Sequence, residues 1–225
     1  MKLILFDIDG TLVDCGGQAR TAFGTALHAV FGETGPIDEY DFSGKTDTRI
    51  IVDLMTAAGR SRDEVLAVLP RLKDEYLDTL DRGLVRERMR VLPGIAPLLE
   101  HLAVRDDVVL ALLTGNFERG ARIKLSRDDL NRYFGFGSFG DDVFDRNDLP
   151  PIALERALQA TQRRFHPDET MIVGDSVLDV ACARAHGIAC LAVATGRTSR
   201  AELEAVKPMW LVDDLADSLE HPAFS

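Results

Sequence analysis

Cysteine is scarce in this chain of 225 residues, where Cys15, Cys182 and Cys190 are the only three. They form no CxxC pair and no metal-binding spacing, and an odd count excludes a fully paired disulfide framework and suits a reducing compartment. The three read as small buried hydrophobes. No apolar run approaches the roughly 20 residues of a membrane span, and residues 1 to 6 are too few for the apolar core of a secretory signal. A soluble, cytoplasmic protein is expected, without a membrane partner. Positive charge is also in deficit: 26 basic residues face 37 acidic ones, a formal net charge of -11. That balance repels nucleic acid and anionic lipid over most of the surface, so an anionic small molecule needs a local site with its own positive potential. Internal repeats and low-complexity segments are absent as well.

What the chain does have is 46% apolar residues, enough to bury a core in one or two domains. LILF (3–6), VVLALLT (108–114), MIVGD (171–175) and CLAVAT (190–195) are near-continuous apolar runs, the pattern of strands buried on both faces of a parallel sheet; MWLVDD (209–214) is a weaker fifth. Helical patterns fall between them at 94–103, 121–130, 151–162 and 176–187, the last closed by Gly187. This alternation predicts an α/β fold, a doubly wound parallel sheet. More than 90 residues separate the first two strands, far more than one crossover requires. Amphipathic patterns at 18–32, 48–58 and 62–82 predict an all-helical insertion there. The boundaries drawn are a core of 1–15 and 89–225 and an inserted helical domain of 16–88.

Polar residues sit where three of those apolar runs stop. Asp7 and Asp9 follow the first, Thr114 to Asn116 the second, and Asp175 the third, with Asp179 four residues on. Open parallel sheets bind ligands beyond the carboxyl ends of their strands. One such polar end is explained by a turn or a helix cap; three together are not. Carboxylates crowded in one crevice need a compensating cation, and hard oxygen ligands favour Mg²⁺. Such an ion would let a phosphate dianion approach an acidic protein, so the pattern points to phosphoryl transfer with an aspartate as nucleophile.

Three motifs sharpen that reading: DxDGT as Asp7-Ile8-Asp9-Gly10-Thr11, a threonine after the second strand as Thr114 in LLTGN, and GDxxxD as Gly174 to Asp179. In this order and spacing the chain resembles the haloacid dehalogenase superfamily, and within it the phosphoglycolate phosphatase-like hydrolases with a helical cap after the first strand. The resemblance implies that Asp7 attacks phosphorus and that Asp9 is general acid for the leaving alcohol, then base for water. It implies that Mg²⁺ is held by the Asp7 carboxylate, the Asp9 carbonyl and the Asp175 carboxylate, with Asp179 supporting water ligands. Thr114 and the backbone N–H groups of Gly115 and Asn116 would bind phosphoryl oxygens, and Gly10 allows the turn. The implied partner is a small phosphorylated metabolite bound by a monomer or homodimer. A phosphomutase shares this core. A 2-haloacid dehalogenase needs no acid at position 9, and a non-catalytic regulator needs no such intact set.

One departure stands out. Relatives usually carry a lysine before the helix that leads to the last motif, and FGDDVFDRNDLPPIALERAL contains none. Arg146 is the nearest cation and the first choice for that place. Lys124, ten residues past Thr114 and about 15 Å along a helix axis, is the alternative; otherwise it is an ordinary surface lysine. SGKTD (43–47) contains the GKT of a nucleotide loop but lacks the required glycine, since Glu39 stands there, and lacks a preceding buried strand. Gly44 to Asp47 are expected instead in a loop facing the crevice, with Lys45 a contact for the substrate's distal group.

Overall fold

In the computed structural model, which describes residues 1–224, eight strands and eight α-helices follow one another along the chain. The strands are β1 (Lys2–Phe6), β2 (Val13–Asp14), β3 (Arg90–Val91), β4 (Val108–Leu113), β5 (Gly137–Ser138), β6 (Thr170–Gly174), β7 (Ala189–Val193) and β8 (Trp210–Val212). The helices are α1 (Gln18–Phe31), α2 (Asp47–Ala57), α3 (Arg62–Gly83), α4 (Ile95–Ala103), α5 (Glu118–Ser126), α6 (Leu149–Thr161), α7 (Val177–Ala185) and α8 (Arg200–Ala205). Six strands form one parallel sheet in the order β5-β4-β1-β6-β7-β8. The first strand of the sequence is therefore central, and the crevice opens where the chain departs to either side of it.

Alternation along β1 builds two cores. Ile4 and Phe6 face a layer containing Leu98, Leu102 and Leu125, whereas Leu3 and Leu5 face Leu149, Ala153, Val180 and Leu203. All four β1 side chains are fully buried. Helices α4 and α5 thus cover one face and α6, α7 and α8 the other, which is why the strands read as unbroken apolar runs.

The helical insertion comprises α1, α2 and α3. It leaves and re-enters the core through a two-stranded antiparallel ribbon of β2 and β3, pairing Val13 with Val91 and Asp14 with Arg90. This ribbon and the edge strand β5 are only two residues each, too short to leave a period in the sequence. Within the insertion Phe23 stacks on Tyr76 with ring centroids 3.9 Å apart, and α3 begins with the capping box of Ser61 and Glu64. Pro70 stands inside α3 without ending it. Among the described residues no helix is long and apolar enough to cross a membrane.

Candidate active site

Asp7 is the first residue past β1, its backbone N–H donating to the Val173 carbonyl at 2.9 Å, so the sheet ladder fixes its position. The chain then folds tightly: the N–H groups of Thr11, Leu12 and Val13 all reach the Ile8 carbonyl. Gly10 makes the turn with φ +83°, and a Cβ there would lie 2.5 Å from Asp175 Oδ2. Gly196 is pressed still harder against the same carboxylate, and Thr195 Oγ1 donates to the Gly10 carbonyl at 2.6 Å. The Thr195–Arg197 segment was not singled out by the sequence, because its glycine carries no chemistry of its own.

The carboxylates of Asp7, Asp175 and Asp179 are all buried, with one oxygen from each lying within 4.8 Å of the others. Burial raises the Asp7 carboxyl to about 6, although Arg146 opposes the shift, while Asp179 and Asp9 add to it. Burial and the charge of Asp7 push Asp175 well above the usual carboxylate range. Thr11 Oγ1 donates to Asp175 at 3.2 Å. Asp179 is differently placed, since both its oxygens are taken: Oδ1 by Arg146 at 2.5 Å, Oδ2 by the N–H and hydroxyl of Ser176 at 3.0 and 2.6 Å. The capping box at the start of α7 thus orients it as a support for Arg146 and leaves Asp7 and Asp175 as the freer oxygen donors.

Arg146 sits in a single 3-10 turn, Arg146–Asp148, and only 4% of it is exposed. Its guanidinium lies 3.3 Å from Asp7 Oδ1 and donates to the carbonyls of Leu113 and Gly44. Burial disfavours its charge, but Asp179 and Asp7 more than compensate and the guanidinium stays protonated.

Lys124 corrects an expectation. It is 2% exposed, no surface lysine, and its ammonium is 2.5 Å from Asp9 Oδ2. Helix α5 starts at Glu118, so only six residues of rise, roughly 9 Å, separate Lys124 from the crevice. Side chains on a helix lean toward its N-terminus, which carries the long Lys124 stem back to the site. Asn116 completes the arrangement, donating from Nδ2 to Asp9 Oδ2 and Thr114 Oγ1, both at 2.8 Å, and accepting from Lys124. Arg146 and Lys124 are therefore not alternatives in space: one serves Asp7, the other Asp9.

Lys45 lines the same cavity, but its ammonium is engaged within its own loop. It donates to the Asp41 carbonyl at 2.7 Å and lies 3.9 Å from the Tyr40 ring centroid. Gly44 to Asp47 do reach the core. A Cβ on Gly115 would lie 2.1 Å from the Lys45 carbonyl, and one on Gly44 would collide with Ser176 and Leu178. The cavity so enclosed measures about 460 Å³ and runs from Asp7 to a second pair of cations, Arg20 on α1 and Arg197 after β7. Among the described residues no carboxylate lies within 4.0 Å of either arginine. The Arg20 guanidinium is drawn down by burial and by the charge of Arg197, with Asp38 and Asp41 opposing.

Comparison with known proteins gives a consistent picture. The family model for haloacid dehalogenase-like hydrolases matches residues 1–187. Phosphoglycolate phosphatase of Synechococcus elongatus is 31% identical over 224 residues, covering 98% of this chain and 96% of its own. Phosphoglycolate phosphatase 1 of Pseudomonas aeruginosa is 27% identical over 97% of this chain and 78% of its own. The crystal structure of a hydrolase from Pseudomonas syringae superposes with a TM-score of 0.74 at 23% identity, covering 98% and 97% of the two chains, and shares the fold.

Proposed function

The chain belongs to the haloacid dehalogenase-like hydrolases, and from that premise we propose that it hydrolyses a small phosphomonoester with a second anionic group, phosphoglycolate being the leading candidate. The observation that carries the reading is the division of charge in the crevice. Asp7, the nucleophile, is held by Arg146, and Asp9, the proton carrier, by Lys124 and Asn116.

An Asp7 carboxylate oxygen attacks phosphorus and the bond to the leaving alcohol breaks, giving an aspartyl-phosphate on Asp7. Asp9 gives its proton to the departing oxygen, then takes one from the water that attacks the same phosphorus and frees inorganic phosphate and the Asp7 carboxylate. Oδ2 of Asp9 is occupied by Lys124 and Asn116, while Oδ1 meets only the Cys15 thiol at 3.7 Å, so Oδ1 is the oxygen that carries the proton. Thr114 and the N–H groups of Gly115 and Asn116 form the turn that takes the phosphoryl oxygens.

The donor set suits Mg²⁺: clustered carboxylate oxygens whose ionisation is resisted by burial and by one another. Asp7 and Asp175 would hold the ion with the Asp9 carbonyl, and Asp179 would support it through water. When bound, the ion neutralises charge on the transferring group and lowers the proton affinity of the surrounding carboxyls. The helical insertion would act as a cap that excludes water and admits the substrate. At the far end Arg20 from the insertion and Arg197 from the core offer a positive pair with no carboxylate in direct contact, which supports a carboxylate as the second anionic group.

Phosphate release is the direct test. We expect Mg²⁺-dependent turnover of phosphoglycolate, faster than that of an uncharged alkyl phosphate, and no turnover by Asp7→Asn. Metal-independent activity or an active Asp7→Asn would overturn the mechanism; equal rates on the two substrates would overturn only the distal anion. Trapping phosphate from substrate on Asp7 by acid quench would identify the intermediate.

A further inference from the structure

One buried carboxylate near the site has no part in the chemistry above. Asp47 is the first residue of α2, and only 4% of it is exposed. It belongs to the insertion, yet its partners belong to the core. Its backbone N–H donates to the Gly115 carbonyl at 2.7 Å, and its Oδ2 accepts the N–H of Phe117 at 2.7 Å. Both partners lie on the turn between β4 and α5 that presents Thr114, Gly115 and Asn116. The Phe117 N–H stands at the start of α5, where no side chain of that helix caps it. The carboxylate of another segment thus fills the place of a cap, on the end of the helix dipole that favours negative charge.

Neighbouring residues tighten the same junction. Thr46 caps α2 by accepting from the Arg49 N–H and also donates to the Phe144 carbonyl at 2.7 Å; Thr48 Oγ1 reaches the Gly140 carbonyl at 3.3 Å. A neutral Asn at 47 would make the Phe117 hydrogen bond without the desolvation cost of a charge. What a carboxylate adds over an amide is negative charge at the N-terminal end of the α5 dipole, beside the Phe117 N–H that it accepts.

We infer that Asp47 is a positioning residue: seated by the helical insertion beneath the phosphoryl-binding turn, it fixes residues 114–117 through its two hydrogen bonds to that turn. The catalytic geometry is then complete only while the insertion rests on the core, since one of its supports comes from α2. This rests on the reading of Asp7 and Asp9 as the phosphoryl-transfer pair.

Steady-state kinetics on phosphoglycolate with Mg²⁺, beside thermal melting, separate the outcomes. Misplacing a reacting group by about 1 Å can cost on the order of 100-fold, so Asp47→Ala should lower kcat by about 10- to 100-fold with KM moving by less than about threefold. Asp47→Asn keeps an acceptor for Phe117 and should recover part of kcat, not all. Inorganic phosphate, which needs the same turn, should inhibit Asp47→Ala more weakly than wild type. A loss confined to KM, full recovery in Asp47→Asn, or unchanged phosphate inhibition would overturn the assignment. If Asp47→Ala fails to fold, Asp47→Asn decides, because wild-type kcat in that variant likewise overturns the assignment. Absence of phosphate release by the wild type would instead overturn the reading of Asp7 and Asp9.

Discussion

Arg146 and Lys124 carry the same charge in the same crevice, yet substitution should separate them. The side chains of Arg146, Asp7 and Asp179 are 4%, 6% and 0% exposed, whereas that of Asp9 is 42% exposed beside Lys124. Removing one member of a buried ion pair leaves the other charged and dry; water can reach Asp9. The guanidinium also spans Asp7, Asp179 and two carbonyls, a set of directions that one ammonium nitrogen cannot reproduce. We therefore expect Arg146→Met to lose about 3 kcal/mol of stability by denaturant titration along with most activity, and Arg146→Lys, which keeps the charge but not the fork of donors, to recover only part of either. Lys124→Met should lose activity with little change in the unfolding midpoint. Equal destabilisation would show that water does not screen Asp9. The Asp7, Asp9 and Asp175 positions were legible because each breaks an apolar run at a strand end, and Arg146 because it was the nearest cation before α6. Lys124, named as the alternative to Arg146, was placed too far along its helix, since its position depends on where α5 begins and which way its side chain leans. Neither follows from residue spacing alone.

At the scale of elements, the junction between α2 and the turn after β4 is a close approach of two backbones. Gly115 has no unusual φ, so alanine is acceptable to its own backbone, and the collision is with the Lys45 carbonyl. Gly115→Ala should push the insertion off the core: kcat/KM falls by about 10-fold or more while the melting temperature moves by no more than about 2 °C, a split read from kinetics and calorimetry. Unaltered kcat/KM would mean that the junction yields without consequence. The long elements were predictable from period: four apolar runs became β1, β4, β6 and β7, and the insertion emerged as three amphipathic helices. The ribbon of β2 and β3 and the edge strand β5 were not, because two residues carry no period. Helix α5 was expected at 121–130 and lies at 118–126; the N–H groups at its start, of Phe117 and Glu118, donate to Asp47 and Asp141 from elsewhere in the chain, which residue spacing does not reveal.

For the molecule as a whole, the buried carboxyls make stability depend on pH in an unusual sense. Asp47 is raised by burial to about 7, and Asp7 to about 6, from an ordinary 3.8. Above pH 4 the unfolded chain has released protons that the folded chain still holds, so their contribution is complete below that point and is lost as pH rises through 6 to 7. The metal-free protein should accordingly melt at lower temperature at pH 7.5 than at pH 5.5. Asp47→Asn should flatten that slope by a few kcal/mol at most, at about 1.4 kcal/mol for each pH unit between the two values. A slope unaffected by Asp47→Asn would assign it to surface repulsion in a chain of net charge -11. The order of the sheet also has a consequence in time. Strand β1 is made first, but its two neighbours are β4 and β6, so it has no partner until residues 108 and 170 have been synthesised. At about 5 to 20 residues per second, the central strand of the sheet waits roughly 5 to 20 s for one edge and 8 to 33 s for the other. During translation, the segment that will carry Asp7 is the one that depends longest on shelter from its surroundings.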